Sequence, residues 1–205
     1  MKGLPRVNLD AWSVDFARAG VVLAWCNLAL TLLPGAQMGI IVRPAMAGDM
    51  ARVQAIYAGH VLHGTASFEE IPPDLAEMQR RRDAVLAAGL PYLVAEHDNG
   101  IIGYAYAGLY RLRAAYRHTA EDSVYIAPHA AGLGAGRALL AQVITQAAAA
   151  GYRELVAIIG DSGNTASIGL HRALGFRDVG TLRNVGLKFG RRLDTVIMQC
   201  TIAGG

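Results

Sequence analysis

The sequence predicts an α/β chain of the α+β kind, one mixed sheet with helices on both faces. Three observations carry this. Strand-length and helix-length apolar patterns follow one another in the order β–α–α–β–β–β–α–β–α–β–β. Residues 121–140 read as a strand, a glycine-punctuated turn and the opening of a long helix. His97-Asp98-Asn99-Gly100 lies between two strand-like runs, and Asn-Gly is the strongest short hairpin signal, so part of the sheet is antiparallel.

Each element has its own local reason. Residues 40–43 form a short apolar strand that Pro44 ends. Asp49 heads a run with Met50, Val53, Ile56, Tyr57, His60 and Val61 at helical spacing, and Gly64 closes it. Residues 65–70 are a polar loop with one aromatic, Phe68, of a kind that can cover a pocket. Pro72-Pro73-Asp74 opens a second helix through Leu75, Met78, Val85 and Leu86, ended by Gly89. Its Arg80, Arg81, Arg82 and Asp83 read as a solvated face. The hairpin strands are 92–96 and 101–106, the second running on towards 110–118. Residues 123–126 form the central strand, stopped by Pro128. A helix of about 137–150 follows, with Gly151 as its stop. The apolar run 154–159 reads as a central strand, and 164–174 as a short helix capped by Asn164. Two last strands, about 176–187 and 193–202, join through Lys188-Phe189-Gly190-Arg191.

Composition narrows the function classes. The chain has 205 residues, 53% hydrophobic and 17% charged, which suits a globular domain rather than a disordered segment. A net charge of +3, with no basic run longer than Arg80 to Arg82, gives no electrostatic footprint for nucleic acid, and none is expected as a partner. Cys26 and Cys200 supply neither metal-ligand spacing nor a disulfide framework, so no metal is expected and a reducing, cytoplasmic setting fits.

Residues 1–39 differ from the rest and are treated as an N-terminal extension to a domain at 40–202. Residues 19–33 are almost continuously apolar, with Lys2, Arg6 and Arg18 before them and Pro34-Gly35 after. A secretory signal fits poorly with Asp10 and Asp15, and the run is shorter than the roughly 20 residues of a membrane span, so stable membrane insertion is not expected. An accessory helix is a second reading. The favoured one places the true start near Met38, because 38–45 already reads as the first strand of a compact domain.

The glycine turn is the first chemical signal. Gly132, Gly134 and Gly136 recur at every second position before Arg137 and Ala138-Leu139-Leu140. Such a turn aims unpaired N–H groups at one point, and the helix N-terminus adds partial positive charge, which makes a phosphate cradle. Alone the pattern also fits a plain turn. Three further segments lie in order around it: Thr119-Ala120-Glu121-Asp122-Ser123-Val124-Tyr125-Ile126; 156–160 with Asn164, Ser167, His171 and Leu174-Gly175-Phe176; and Val185-Gly186-x-Lys188-Phe189-Gly190-Arg191 with Asp194, Met198 and Gln199.

Together these resemble the GNAT acyltransferase superfamily, and within it the phosphinothricin acetyltransferase group, over about residues 40–202. The resemblance implies a GNAT-like acyl-CoA N-acyltransferase fold, with the central strands splayed around acetyl-CoA as co-substrate. It also implies a homodimer. Two positions depart from the usual phosphate loop: Ala131 stands where Gln or Arg is usual, and Leu133 replaces a second basic residue. Arg192 takes the place of an aromatic common after the last Gly-Arg.

The resemblance distributes roles as follows. Main chain at Val124, Tyr125 and Ile126 holds the pantetheine arm, while Gly132, Leu133, Gly134, Ala135, Gly136 and Arg137 surround the pyrophosphate. Asn164 and Ser167 reach the cofactor from the next helix. Glu121 is the candidate acid–base group and His171 the second catalytic candidate. Bland readings remain beside both, a surface salt bridge for Glu121 and an internally bonded histidine for His171. Tyr125 is a candidate proton donor to the thiolate. Arg111 and Arg113 can fork onto an acceptor carboxylate, with Thr65, Phe68 and Tyr116 as walls. A small amino-acid-like acceptor such as phosphinothricin or methionine sulfoximine is then the expected partner. A protein or peptide N-acetyltransferase and a non-catalytic acyl-CoA sensor are the competing expectations.

Overall fold

The computed structural model describes residues 39–98 and 100–202; the reading of the first 38 residues, and Asn99 of the hairpin turn, fall outside these. The expected element order is observed. Strand β1 is Ile41–Pro44, helix α1 Met50–His63, helix α2 Leu75–Ala87, β2 Tyr92–His97 and β3 Gly100–Leu109. Strand β4 is Thr119–Ile126, α3 Ala135–Ala149, β5 Glu154–Gly160, α4 Thr165–Ala173, β6 Arg177–Lys188 and β7 Arg191–Thr201. The seven strands form one sheet in the order β1-β2-β3-β4-β5-β7-β6. Among the described strands only the β4/β5 pair is parallel.

Two apolar layers sandwich the sheet. On one face Leu139, Leu140, Val143 and Ala147 of α3 pack against Leu93, Ala105, Ala120 and Leu155. On the other, Met50, Val53, Ile56 and Val61 of α1 and Met78 of α2 pack against Tyr92, Val94 and Tyr104. The strict two-residue period of strands sends Val124 and Ile126 to the first layer and Tyr125 to the second. In β3 this alternation breaks: Gly103 pairs with Ala95 and Ile101 with Glu96, leaving Ile102 as an extra residue. That bulge flips the facing of the strand, so Tyr104 and Tyr106 reach the α1 side. There Tyr92 stacks on Tyr106 with centroids 5.1 Å apart, and Tyr104 on Tyr125 at 5.2 Å.

The structure corrects three local expectations. Strand β4 begins at Thr119, four residues early, because its first half pairs with both β3 and β5. Strand β3 stops at Leu109, and the chain turns through a short 3-10 segment at Ala114–Tyr116 instead of running on extended. The arginines of α2 are not all solvated: Arg81 pairs with both Glu69 and Glu77, and Arg82 donates twice to the carbonyl of Ala45.

Candidate active site

The site begins where two strands part. The parallel ladder between β4 and β5 ends at the pair Asp122 and Ala157. Beyond it Ser123 to Ile126 pair only with β3, and Ile158 to Gly160 only with β7. Apart from the Ile126 carbonyl, which accepts from His60, the backbone groups that each strand turns toward the fork are therefore left for a ligand. A cavity of about 650 Å³ fills this fork. It is walled by the end of β4, the turn after it, the first turn of α3, the end of β5 and the exposed side of α4.

Glycine is required in the turn for its backbone angles rather than for space. Gly132 and Gly134 have φ of +83° and +89°, and a Cβ at either would meet nothing within 4 Å. Left-handed backbone costs an ordinary L-residue about 1–2 kcal/mol. Gly134 is the N-cap of α3, and no side chain caps that end, so its first N–H groups face the cavity mouth without an internal acceptor. Gly136 has a different reason: a Cβ there would come within 3.2 Å of Leu170 of α4.

Most cofactor-side residues named from the sequence converge on this cavity. Val124, Tyr125 and Ile126 line it, as do Gly132, Gly134, Ala135, Gly136 and Arg137. Asn164, Ser167, His171 and Thr65 complete the opposite wall. Leu133 is the exception. Set between two left-handed glycines, its side chain turns outward and is 51% exposed. Asn164 caps α4, its side chain accepting from the Ser167 N–H at 3.2 Å.

His171 stands differently from a free acid or base. It is buried, and Nδ1 donates to the Ser167 carbonyl at 2.7 Å while Nε2 meets Asp122 Oδ2 at 2.9 Å. Burial opposes its charge, but the Asp122 hydrogen bond and charge outweigh burial and raise its pKa. Both ring nitrogens are thus engaged, Nδ1 within α4 and Nε2 between α4 and β4. Among the described residues Asp122 Oδ1 has no hydrogen-bond partner, a buried acceptor in a residue that lines the cavity. Asp122 and His60 carry no site role in the sequence reading, yet both line the cavity. His60 Nε2 donates to the Ile126 carbonyl at 2.9 Å and its ring lies 5.3 Å from Tyr125, which fixes the end of β4 from the α1 side. The signal available for His60 was its helical register with Tyr57 and Val61.

Glu121 lies one residue before the fork, on the sheet face opposite His171. It is half-buried, and burial first, then the charge of Asp122, pushes its pKa up; Arg111 opposes them. Tyr125 is held well above its ordinary pKa by burial and by neighbouring tyrosines, so it keeps its proton at neutral pH. Arg111 sits 5.1 Å from the Tyr110 ring, and Tyr110 meets Tyr116 edge-on at 5.6 Å. Arg113 is exposed and N-caps the 3-10 turn. These acceptor-side residues, with Phe68, lie outside the main cavity.

What the arrangement can do chemically follows from its parts. A forked strand edge can hold an extended amide-bearing arm, a helix N-terminus can hold phosphate, and a carboxylate with a raised pKa beside the fork can take a proton. Residues 57–176 match the acetyltransferase (GNAT) family. A phosphinothricin N-acetyltransferase of Alcaligenes faecalis is 53% identical over 188 residues, 92% of this chain and 89% of the relative. An L-methionine sulfoximine/L-methionine sulfone acetyltransferase of Pseudomonas paraeruginosa is 43% identical over 166 residues, 80% of this chain and 96% of the relative. Among solved structures, a GNAT superfamily phosphinothricin acetyltransferase from Sinorhizobium meliloti in complex with AcCoA superposes with a TM-score of 0.79. It is 43% identical, with 82% of this chain and 91% of that one covered. With the forked strands, the glycine turn and more than half its length matched, this chain belongs to the GNAT acetyltransferase family.

Proposed function

We propose that this chain transfers the acetyl group of acetyl-CoA to the α-amino group of a small amino acid or a toxic analogue, such as phosphinothricin or methionine sulfoximine. Both substrates are bound together. The observation that carries the reading is the open edge of β4 beyond Asp122, with the helix N-terminus at one end and Glu121 at the other. The relatives' names supply the acceptor class.

Acetyl-CoA contributes an activated thioester. The chain contributes the rest. Main chain at Val124 and Ile126 orients the arm, and the N–H groups of 132–137 take the pyrophosphate by backbone alone. This is how Ala131 and Leu133 are accommodated without loss of the site. Glu121 removes the ammonium proton, and its raised pKa suits a base that works near neutrality. Tyr125, still protonated and lining the cavity, returns a proton to the leaving sulfur. His171 supports the wall from inside rather than touching the reacting atoms. Arg111 or Arg113 meets the acceptor carboxylate.

The test is release of free thiol from acetyl-CoA, with mass spectrometry of the acceptor, across amino acids, phosphinothricin, methionine sulfoximine and short peptides. A single +acetyl product on an amino acid or analogue is expected. Release with peptides alone overturns the acceptor assignment. We read the active form as a homodimer, because edge strand β6 exposes Val179, Leu182, Val185 and Leu187; light scattering at assay concentration tests it. A cytoplasmic setting is consistent with the free Cys200 thiol. Among the described residues no helix is long and apolar enough to cross a membrane.

A further inference from the structure

Lys188 is among the most buried side chains of the protein, 2% exposed, and has no part in the chemistry above. Its Nζ donates to the backbone carbonyl of Ser67, 121 residues earlier, at 2.6 Å. Among the described residues no carboxylate pairs with it within 4 Å; Glu69 and Glu70 act only from a distance. A buried ammonium held by one carbonyl and the Phe189 ring face, 5.1 Å away, but by no counter-charge, is costly, and burial accordingly lowers its pKa. A methionine of similar length would fill the same space without that cost. What the ammonium adds is a fixed position for the 65–70 loop.

The loop is held at further points. Thr65 Oγ1 donates to Asp161 Oδ2 at 2.9 Å, just past the end of β5. The Phe68 ring lies against two glycines: a Cβ at Gly186 would come within 2.4 Å of it, and one at Gly160 within 3.0 Å. Ser67 Oγ meets the Tyr57 hydroxyl at 2.9 Å, and Tyr57 donates to Glu69, which also receives Arg81. The loop therefore runs from the end of α1 across the tip of β5 to β6. It crosses the end of the sheet at which β4 and β5 fork.

We propose that Lys188 is a positioning residue for acceptor selectivity: its bond to the Ser67 carbonyl latches the 65–70 loop, with Phe68 seated on Gly160 and Gly186, as the wall against which a small acceptor is held. This rests on the amino-acid acetyltransferase reading. The latch excludes large acceptors and lowers the KM of small ones; acetyl-CoA, held mainly at the β4 edge and the glycine turn, feels it less, although Thr65 and Ala66 also line the cavity.

The experiment compares wild type, Lys188→Met and Gly186→Ala, each as the full chain. Gly186→Ala displaces Phe68 without touching Lys188, and its backbone is not in the left-handed region. For Lys188→Met, Tm is expected to stay equal or rise, the acceptor KM to rise at least fivefold, and the acetyl-CoA KM to stay within twofold. Gly186→Ala is expected to give the same one-sided rise in acceptor KM. Amide exchange of 65–70 is expected to accelerate in both variants. An unchanged acceptor KM in folded Lys188→Met overturns the proposal. So does a lower Tm with both KM values raised together, which would make Lys188 a support of the fold. Absence of turnover in wild type would count against the acetyl-transfer reading, and amide exchange would still decide the latch.

Discussion

The two halves of the site are built in different ways. The cofactor half is mostly local: β4, the glycine turn and the first turn of α3 are consecutive, residues 119–137, with Asn164 and Ser167 of α4 across the cavity, and its geometry is set chiefly by strand alternation and two left-handed glycines. The acceptor half is assembled from the 65–70 loop, the 110–117 turn and the β6/β7 strands, joined by contacts such as Ser67 to Lys188 across 121 residues. A local half can be changed one backbone angle at a time. A non-local half answers to contacts made elsewhere in the fold.

The largest expected effect is at the junction of the halves. Glu121→Gln keeps the shape and removes the base, so kcat falls on the order of 10²- to 10⁴-fold while acetyl-CoA affinity, measured by calorimetry, stays the same. Equal loss of binding would place Glu121 in the cofactor half instead. Next comes Asp122→Asn, which leaves His171 without its buried counter-charge. Breaking a buried pair from one side costs about 3–5 kcal/mol, to be read by urea unfolding. The sign with pH follows from His171. Its folded pKa is raised, so the pair stabilises fully below the unfolded value of about 6.5 and loses that contribution as pH rises through the folded one. The gap between wild type and Asp122→Asn should therefore narrow as pH increases above about 6.5. A gap that widens would contradict the pairing.

A smaller effect concerns Arg111. Its charge lowers the Glu121 pKa against burial and Asp122, so Arg111→Ala should move the acid limb of the kcat/KM profile to higher pH. An unmoved limb would mean that the arginine does not reach the base.

This contrast also explains what could be read in advance. The element order, the hairpin and the glycine turn rest on periodicity and turn chemistry within a dozen residues, and each lies where those patterns put it. The fork followed from the resemblance, and the point where the β4/β5 ladder stops shows it directly. What escaped were pairings at a distance. His171 shares a helix face with Asn164 and Ser167, but its partner Asp122, 49 residues away, turns it from a free base into a bonded one. Arg81 and Arg82 looked solvated because Glu69 and the Ala45 carbonyl are brought to them only by the fold. The Ile102 bulge, which turns two tyrosines toward α1, has no marker in the sequence beyond Gly103 beside it.

The separateness of the halves can be measured by determining both Michaelis constants for Gly134→Ala and Phe68→Ala. Gly134→Ala forces a left-handed angle on alanine, a cost of about 1–2 kcal/mol, and should raise the acetyl-CoA KM roughly tenfold with the acceptor KM unchanged. Phe68→Ala should do the reverse. If both variants raised both constants together, the site would be a single cooperative unit and the division drawn here would be contradicted.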